Sequence, residues 1–306
     1  MRVAVLLPCY NEGPVIASVV ADAKQALPQA TIYVYDNNST DDTVEKARAA
    51  GAVVKRENHQ GKGNVVRRMF ADVEADVYIL ADGDGTYPMR EAPMLIQELL
   101  QHDYDMVTGV RVADEGAAYR SGHRFGNRLI TSFTSMLFAS SIADMLSGYR
   151  VFSRRYVKSF PALSSGFEIE TELTIHALSM RLRTGEVPVA YGARKNGTAS
   201  KLRTYSDGMR IARTIALLLK EERPFQVLGT CAIVLAAAGV AFGIPVVLEF
   251  FATGFVLRLP TAVLATGLML LSALCLFSGI ILDGITRTRR ELRWLNYLSY
   301  TLPPTE

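Results

Sequence analysis

Two aspartates one residue apart, Asp82 and Asp84, close the apolar run 77–81, with Gly83 between them and Gly85 beyond. Two hard oxygen donors this close suit an octahedral Mg2+ or Mn2+ that also holds substrate phosphates. An Asp-Gly turn accounts for the same residues without any chemistry. Other carboxylates follow other apolar runs, Glu12 after 3–7 and Asp36 after 31–35. From 111 onward acids become few and Arg111, Arg120, Arg124, Arg128, Arg150, Arg154 and Arg155 accumulate, while the loop 194–201 adds Arg194, Lys195 and Lys201. Singly, each is an ordinary solvated cation. Together they suit a phosphate-rich ligand, whose oxygens arginine pairs two at a time. Glu168, Glu170 and Glu172 offer carboxylates for a general base, although acids in a first helical turn also stabilise the helix without catalysis.

The elements that must position these groups are short apolar runs alternating with helical stretches. Strands are expected at 3–7, 31–35, 53–54, 77–81, 105–110, 150–153 and 187–191. Helices are expected at 14–27, from about 41 to Gly51, at 61–73, at 89–101 and from about 168 to Met180. Pro14 favours a first turn, and Ser39 or Thr40 is placed to cap the second helix. Strands alternating with helices of this length imply βαβ units and a parallel sheet. Right-handed crossovers bring the ends of such strands to one edge, so Glu12, Asp36, Asp82 and Asp84 should meet there. Glu168 and Glu172, four apart, share a helix face from which Glu170 points away.

The rest of the chain changes character. Residues 225–248 and 259–282 each run 24 residues without a charge, enough at about 1.5 Å per residue to cross ~30 Å of hydrocarbon. Arg223 precedes the first stretch, and Arg287, Arg289, Arg290 and Arg293 follow the second, which places both termini and the first domain on the cytoplasmic side. The run 3–7 is too short for a signal-peptide core. Residues 206–222 read as an amphipathic helix suited to a membrane interface, or to a packed surface. The three cysteines show no disulfide or metal spacing, and a net charge of +3 gives no reason to expect nucleic acid. The expected organisation is a cytoplasmic catalytic domain over 1–202, an interface helix over 203–224, two membrane helices within 225–286 and a basic tail over 287–306.

The motifs Leu6-Leu7-Pro8-Cys9-Tyr10-Asn11-Glu12, Val34-Tyr35-Asp36-Asn37-Asn38-Ser39-Thr40-Asp41 and Asp82-Gly83-Asp84 resemble the family 2 glycosyltransferases of GT-A fold. With Ser147-Gly148-Tyr149-Arg150, the loop from Arg194 to Leu202 and two C-terminal spans, the resemblance narrows to the polyprenyl-phosphate sugar synthases. These are the bacterial undecaprenyl-phosphate glucosyltransferases and the dolichyl-phosphate mannose synthase-like enzymes. The resemblance implies an inverting transfer of a hexose from a nucleotide-sugar, UDP-glucose first, to a polyprenyl phosphate at the inner membrane of a bacterium, for cell-envelope glycans. It also implies a homotetramer. Pro8, Tyr10, Glu12, Asp36, Lys62 and Asp82 would hold the donor nucleotide, and Asp82 and Asp84 the metal. Arg150 would lie by the donor sugar, Arg194 and Lys201 would clamp phosphates, and Arg111 and Arg124 would meet the acceptor phosphate. Glu168 and Glu170 are the carboxylates available if a base is used. A phosphate monoester with a second pKa of ~6 is already largely a dianion at neutral pH, so the expected need is for cations rather than a base.

Two departures qualify the resemblance. Asn37 and Asn38 stand where relatives carry further acids and a glycine, and Thr86 stands where the mannose enzymes carry glutamine. Arg290-Glu291-Leu292-Arg293-Trp294 differs from the Gln-x-x-Arg-Trp motif of processive polysaccharide synthases and reads as a basic, aromatic membrane exit.

Overall fold

The computed structural model describes residues 1–113, 143–166, 168–192 and 223–301. The short apolar runs form one seven-stranded sheet in the order β3-β2-β1-β4-β6-β5-β7. Its strands are β1 (Val3–Cys9), β2 (Thr31–Asp36), β3 (Val53–Arg56), β4 (Val77–Leu80), β5 (Met106–Ala113), β6 (Arg150–Ser153) and β7 (Thr184–Tyr191). Successive side chains of β1 point to opposite faces, so Val5 and Leu7 join one core while Ala4 and Leu6 join the other. Helices α1 (Ile16–Ala26), α2 (Thr43–Ala49) and α4 (Ala92–Gln101) cover the first face, and α3 (Lys62–Asp72), α5 (Arg154–Ser159) and α6 (Ile169–Ser179) the second. Helical spacing explains the fit: α1 buries Ile16, Val19, Val20 and Ala23, and α4 buries Ala92, Leu95, Ile96 and Leu99.

The sheet is mixed rather than all parallel. β6 runs antiparallel to both β4 and β5, with Arg150 opposite Leu80 on one side and Thr108 on the other. The remaining pairs are parallel. One further expectation is corrected. Neither Ser39 nor Thr40 caps α2; the side chain of Asp41 instead accepts from the Thr43 amide and hydroxyl at 3.1 and 2.5 Å and from the Gly13 amide at 2.9 Å. The last helix runs past the expected membrane span 259–282 to Leu298.

The chain divides into two units, one of Met1–Ile211 with Leu292–Glu306 and one of Ala212–Glu291. The second unit is built on α7 (Pro224–Thr253) and most of α8 (Leu259–Leu298), both long and apolar enough to cross a membrane. They form an antiparallel pair along small residues seven apart. Ala232 and Gly239 face Ser272 and Ala265, and the Ser272 hydroxyl donates to the Ala232 carbonyl at 2.8 Å. The interface helix expected over 203–224 lies almost wholly outside the described residues.

Candidate active site

The topology itself makes the crevice. From β1 the chain moves outward to β2 and β3, then returns through α3 to β4 on the far side of β1. The ends of β1 and β4 therefore diverge at a switch point, the position where open α/β sheets bind ligands. Pro8 to Glu12 leave one strand there and Asp82 to Asp84 the other. Asp36 ends β2 opposite Cys9 in the register.

The acids converge as the loops predict. Burial first, and then the charges of Glu12, Asp36, Asp82 and Asp84, push the Cys9 thiol well above its usual pKa. Asp36 and Asp84 are buried, and each is held by its own loop. Asp36 Oδ1 accepts from the Ser39 amide at 3.1 Å. Asp84 Oδ1 accepts from the Thr86 amide at 3.1 Å and the Thr86 hydroxyl at 2.7 Å. Thr86 thus steadies Asp84 and is itself only 2% exposed. Among the described residues no group of three potential metal-ligating side chains is assembled. The donor set present is the carboxylate pair Asp82 and Asp84, which fits a hard cation completed by phosphate and water oxygens.

Lys62, the first residue of α3, reaches into this crevice. Its ammonium lies 2.5 Å from Asp82 Oδ1 and 2.5 Å from Glu170 Oε1. Burial works against its charge, but the two carboxylates outweigh that and raise its pKa, so Lys62 is held protonated. Burial raises the pKa of Glu170, an effect that Lys62 opposes. Gly148 passes close by: a Cβ there would lie 2.7 Å from Asp82 Oδ2 and 3.1 Å from Lys62 Nζ, which explains a glycine at this position. The Gly148 amide donates to the Tyr87 hydroxyl at 3.0 Å, tying the 147–149 loop to the one that carries Asp84.

The other candidates among the described residues each have a definite placement. Pro8 and Tyr10 are half-buried at the end of β1. Glu12 lies in the next loop, where its amide donates to the Thr43 hydroxyl at 2.9 Å. Arg111 is bound bidentately by Asp144, at 2.7 and 2.8 Å, and its guanidinium lies 5.5 Å from the Tyr191 ring centroid. Glu168 is half-buried at the start of α6 and accepts, through its carbonyl, the Glu172 amide at 2.9 Å. Glu172 accepts the Leu163 and Ser164 amides at 2.8 Å each, a latch on the preceding loop. Arg120, Arg124, Arg128, Arg194, Lys195 and Lys201 lie outside the described residues.

The Arg150 side chain is fully buried. It turns under the 145–148 loop and donates to the Met145 carbonyl at 2.6 Å, the Ser147 carbonyl at 2.9 Å and the Thr174 hydroxyl at 2.8 Å. Its part is to hold the loop that brings Asp144 to Arg111 and Gly148 to Asp82. Asn37 is the residue that sequence reasoning missed. It is buried, donates to the Glu57 and His59 carbonyls at 2.9 Å each and accepts the Gly61 amide at 2.7 Å, so it fixes the turn that launches Lys62. An aspartate there could not donate, which is a physical reason for the departure from the family pattern.

Residues 4–160 match the profile of Glycosyl transferase family 2, and the chain belongs to that family. A glycosyltransferase of Haloferax volcanii, AglJ, is 32% identical over 292 residues, covering 94% of this chain and 95% of that one. A dolichyl-phosphate hexose transferase of the same organism is 29% identical over 220 residues, 72% of this chain and 95% of that one. An uncharacterized protein of Shigella flexneri is 54% identical over 155 residues, 51% of this chain and 95% of its own. Among solved structures, glucosyl-3-phosphoglycerate synthase from Mycobacterium tuberculosis, in complex with Mn2+, UDP and phosphoglyceric acid, superposes with a TM-score of 0.59. It shares 25% identity and covers 72% of this chain and 78% of that one. The chain is accordingly a glycosyltransferase of GT-A fold with a polyprenyl-phosphate sugar synthase type of sequence.

Proposed function

We propose that this glycosyltransferase moves a hexose, with inversion, from a UDP-sugar to a polyprenyl phosphate at the cytoplasmic face of a membrane. UDP-glucose is the first donor to try, ahead of GDP-mannose and UDP-N-acetylhexosamines. The reading is carried by one conjunction: an acid-lined strand edge of GT-A type in the same chain as two helices of membrane-spanning length. The similarity to a dolichyl-phosphate hexose transferase supports the acceptor class. The Mn2+ and UDP named with the solved relative support the donor class and a divalent ion, Mg2+ or Mn2+.

In this reading Asp82 and Asp84 hold the divalent ion, and Pro8, Tyr10, Glu12 and Asp36 line the nucleoside side of the crevice. A bound divalent ion would stabilise the negative charge that grows on the leaving diphosphate. Lys62 adds a second positive charge beside Asp82, fixed by Glu170 and thus already oriented before the donor arrives. Glu170 serves as the partner of that ammonium, and the acceptor dianion attacks without a base. Arg111, held by Asp144 and Tyr191, docks the acceptor phosphate, with Arg124, Arg194 and Lys201 as further cations. Basic residues flanking the spans support cytoplasmic termini and a cytoplasmic catalytic unit. Assembly as a homotetramer is checked by the mass of the native complex.

The test offers the purified chain a panel of UDP- and GDP-sugars with undecaprenyl phosphate, and separately with phosphoglycerate, in the presence of Mn2+ or Mg2+. A lipid-linked sugar supports the proposal. Transfer to phosphoglycerate alone would move the activity to a soluble phosphate acceptor, and nucleotide binding without transfer would make the protein a sensor.

A further inference from the structure

The last turn of α8 ends in a receptor built far from the crevice. Asp105, at the start of β5 and 1% exposed, accepts from the Ser153 hydroxyl at 2.9 Å and from Arg155 at 2.5 and 3.1 Å. Its fourth donor is the hydroxyl of Tyr297, at 3.0 Å and 192 residues away in sequence. The Arg155 guanidinium also lies over the Tyr297 ring, 4.7 Å from its centroid, and Arg154 lies 5.2 Å from the centroid of Tyr300. Trp294 packs edge-on against Tyr297 at 5.1 Å. Burial, followed by the Asp105 charge, raises the Tyr297 pKa, so the phenol stays a donor. Both sides of this contact belong to the catalytic unit, although Tyr297 stands on the same helix as the second span.

These residues are more than a solvated tail requires. An exposed basic exit helix needs no buried carboxylate to receive it, and Asp105 was already neutralised by Arg155. We propose that residues 294–300 are a tether that fastens the catalytic unit to the second membrane span, separately from the chain connection through 193–222. A unit held at one point by a linker samples many orientations, whereas a second attachment raises the effective concentration of its site at a bilayer-borne substrate. The tether is therefore a positioning device for the lipid acceptor and leaves donor binding alone. This role rests on the transferase reading given above.

The test uses the full-length chain in lipid nanodiscs with two variants, Tyr297→Phe, which deletes one hydroxyl, and the double variant Tyr297→Ala/Tyr300→Ala. Hydrogen exchange of the 294–300 amides should rise about tenfold in Tyr297→Phe, which loses a bond to a charged acceptor, and further in the double variant. With whichever nucleotide-sugar the wild-type chain uses, the double variant should lose about fivefold or more in transfer to undecaprenyl phosphate in the bilayer. Its transfer to detergent-dispersed farnesyl phosphate and its affinity for UDP should match wild type. Unchanged exchange in both variants overturns the docking. Equal losses on the two acceptors overturn the positioning role and leave a packing contact. If the wild-type chain transfers nothing, the transferase reading and the tether's role in it fall together, while the exchange rates still decide whether the segment is docked.

Discussion

Arg150→Met separates a structural arginine from a substrate-binding one. The guanidinium is fully buried and donates hydrogen bonds only to neutral acceptors: the Met145 and Ser147 carbonyls, the Thr174 hydroxyl and, at 3.3 Å, the Met106 sulfur. Hydrogen bonds from a charged donor are worth about 1.5–3 kcal/mol each when one partner is deleted. Part of that loss is offset because methionine no longer carries a buried charge, and burial already lowers the Arg150 pKa. The net expectation is a destabilisation of about 3–5 kcal/mol. At roughly 2–4 °C per kcal/mol for a unit of this size, the melting temperature of the purified variant should fall by about 10 °C. Arg150→Lys, which can keep one or two of the bonds, should fall by about half as much. Differential scanning fluorimetry on the full-length chain reads the shift, and UDP titration below the melting temperature reads the site. A variant that melts with wild type yet loses donor affinity would refute the buried role and return Arg150 to the sugar.

Further expectations follow from the same geometry. Asn37→Asp removes the donors to the Glu57 and His59 carbonyls and should cost about 2–4 kcal/mol by urea unfolding, with donor affinity falling as the Lys62 turn loosens. Lys62→Met leaves Asp82 and Glu170, whose oxygens both lie 2.5 Å from the same nitrogen, facing each other with a repulsion of ~3 kcal/mol at an effective dielectric of 20. Its melting temperature should fall, and Lys62→Met/Glu170→Gln should recover much of the loss. Burial, then Arg293, pushes His176 down to about 3. Between about pH 6.5 and that value the unfolded chain binds a proton that the folded chain does not, so stability falls as pH falls, by up to ~1.4 kcal/mol per unit. His176→Gln should flatten that part of the pH–stability curve, and an unchanged slope would contradict the assignment.

Much of the fold is legible because period and punctuation agree. Apolar runs of two to six residues, most of them followed by a polar loop and a helical stretch, leave little choice but a wound sheet with its loops on one edge. The convergence of Glu12, Asp36, Asp82 and Asp84 follows from handedness alone. Strand direction is a different matter. Nothing in Arg150-Val151-Phe152-Ser153 says whether it runs with β4 or against it, because a strand buried on both faces has the same composition either way. The six residues of α5 are too few to show a period. The burial of Arg150 is not legible because arginine is mostly exposed, and only the fold reveals the carbonyls that receive it. Asn37 reads as an imperfect acid motif until its three backbone partners are seen. Tyr297 and Asp105 illustrate the limit of local reasoning, since no sequence pattern links residues 192 apart.

The central claim is a divalent-ion-dependent sugar transfer managed from Asp84. Its most direct measurement follows labelled glucose from UDP-glucose into the lipid fraction, using the full-length chain, undecaprenyl phosphate in liposomes and Mn2+. Wild type should yield labelled glycolipid, excess EDTA none, and Asp84→Asn should lose at least about a hundredfold with the melting temperature nearly unchanged. Full transfer by Asp84→Asn, or in EDTA, would contradict the claim and leave the Asp82-Gly83-Asp84 segment as a turn.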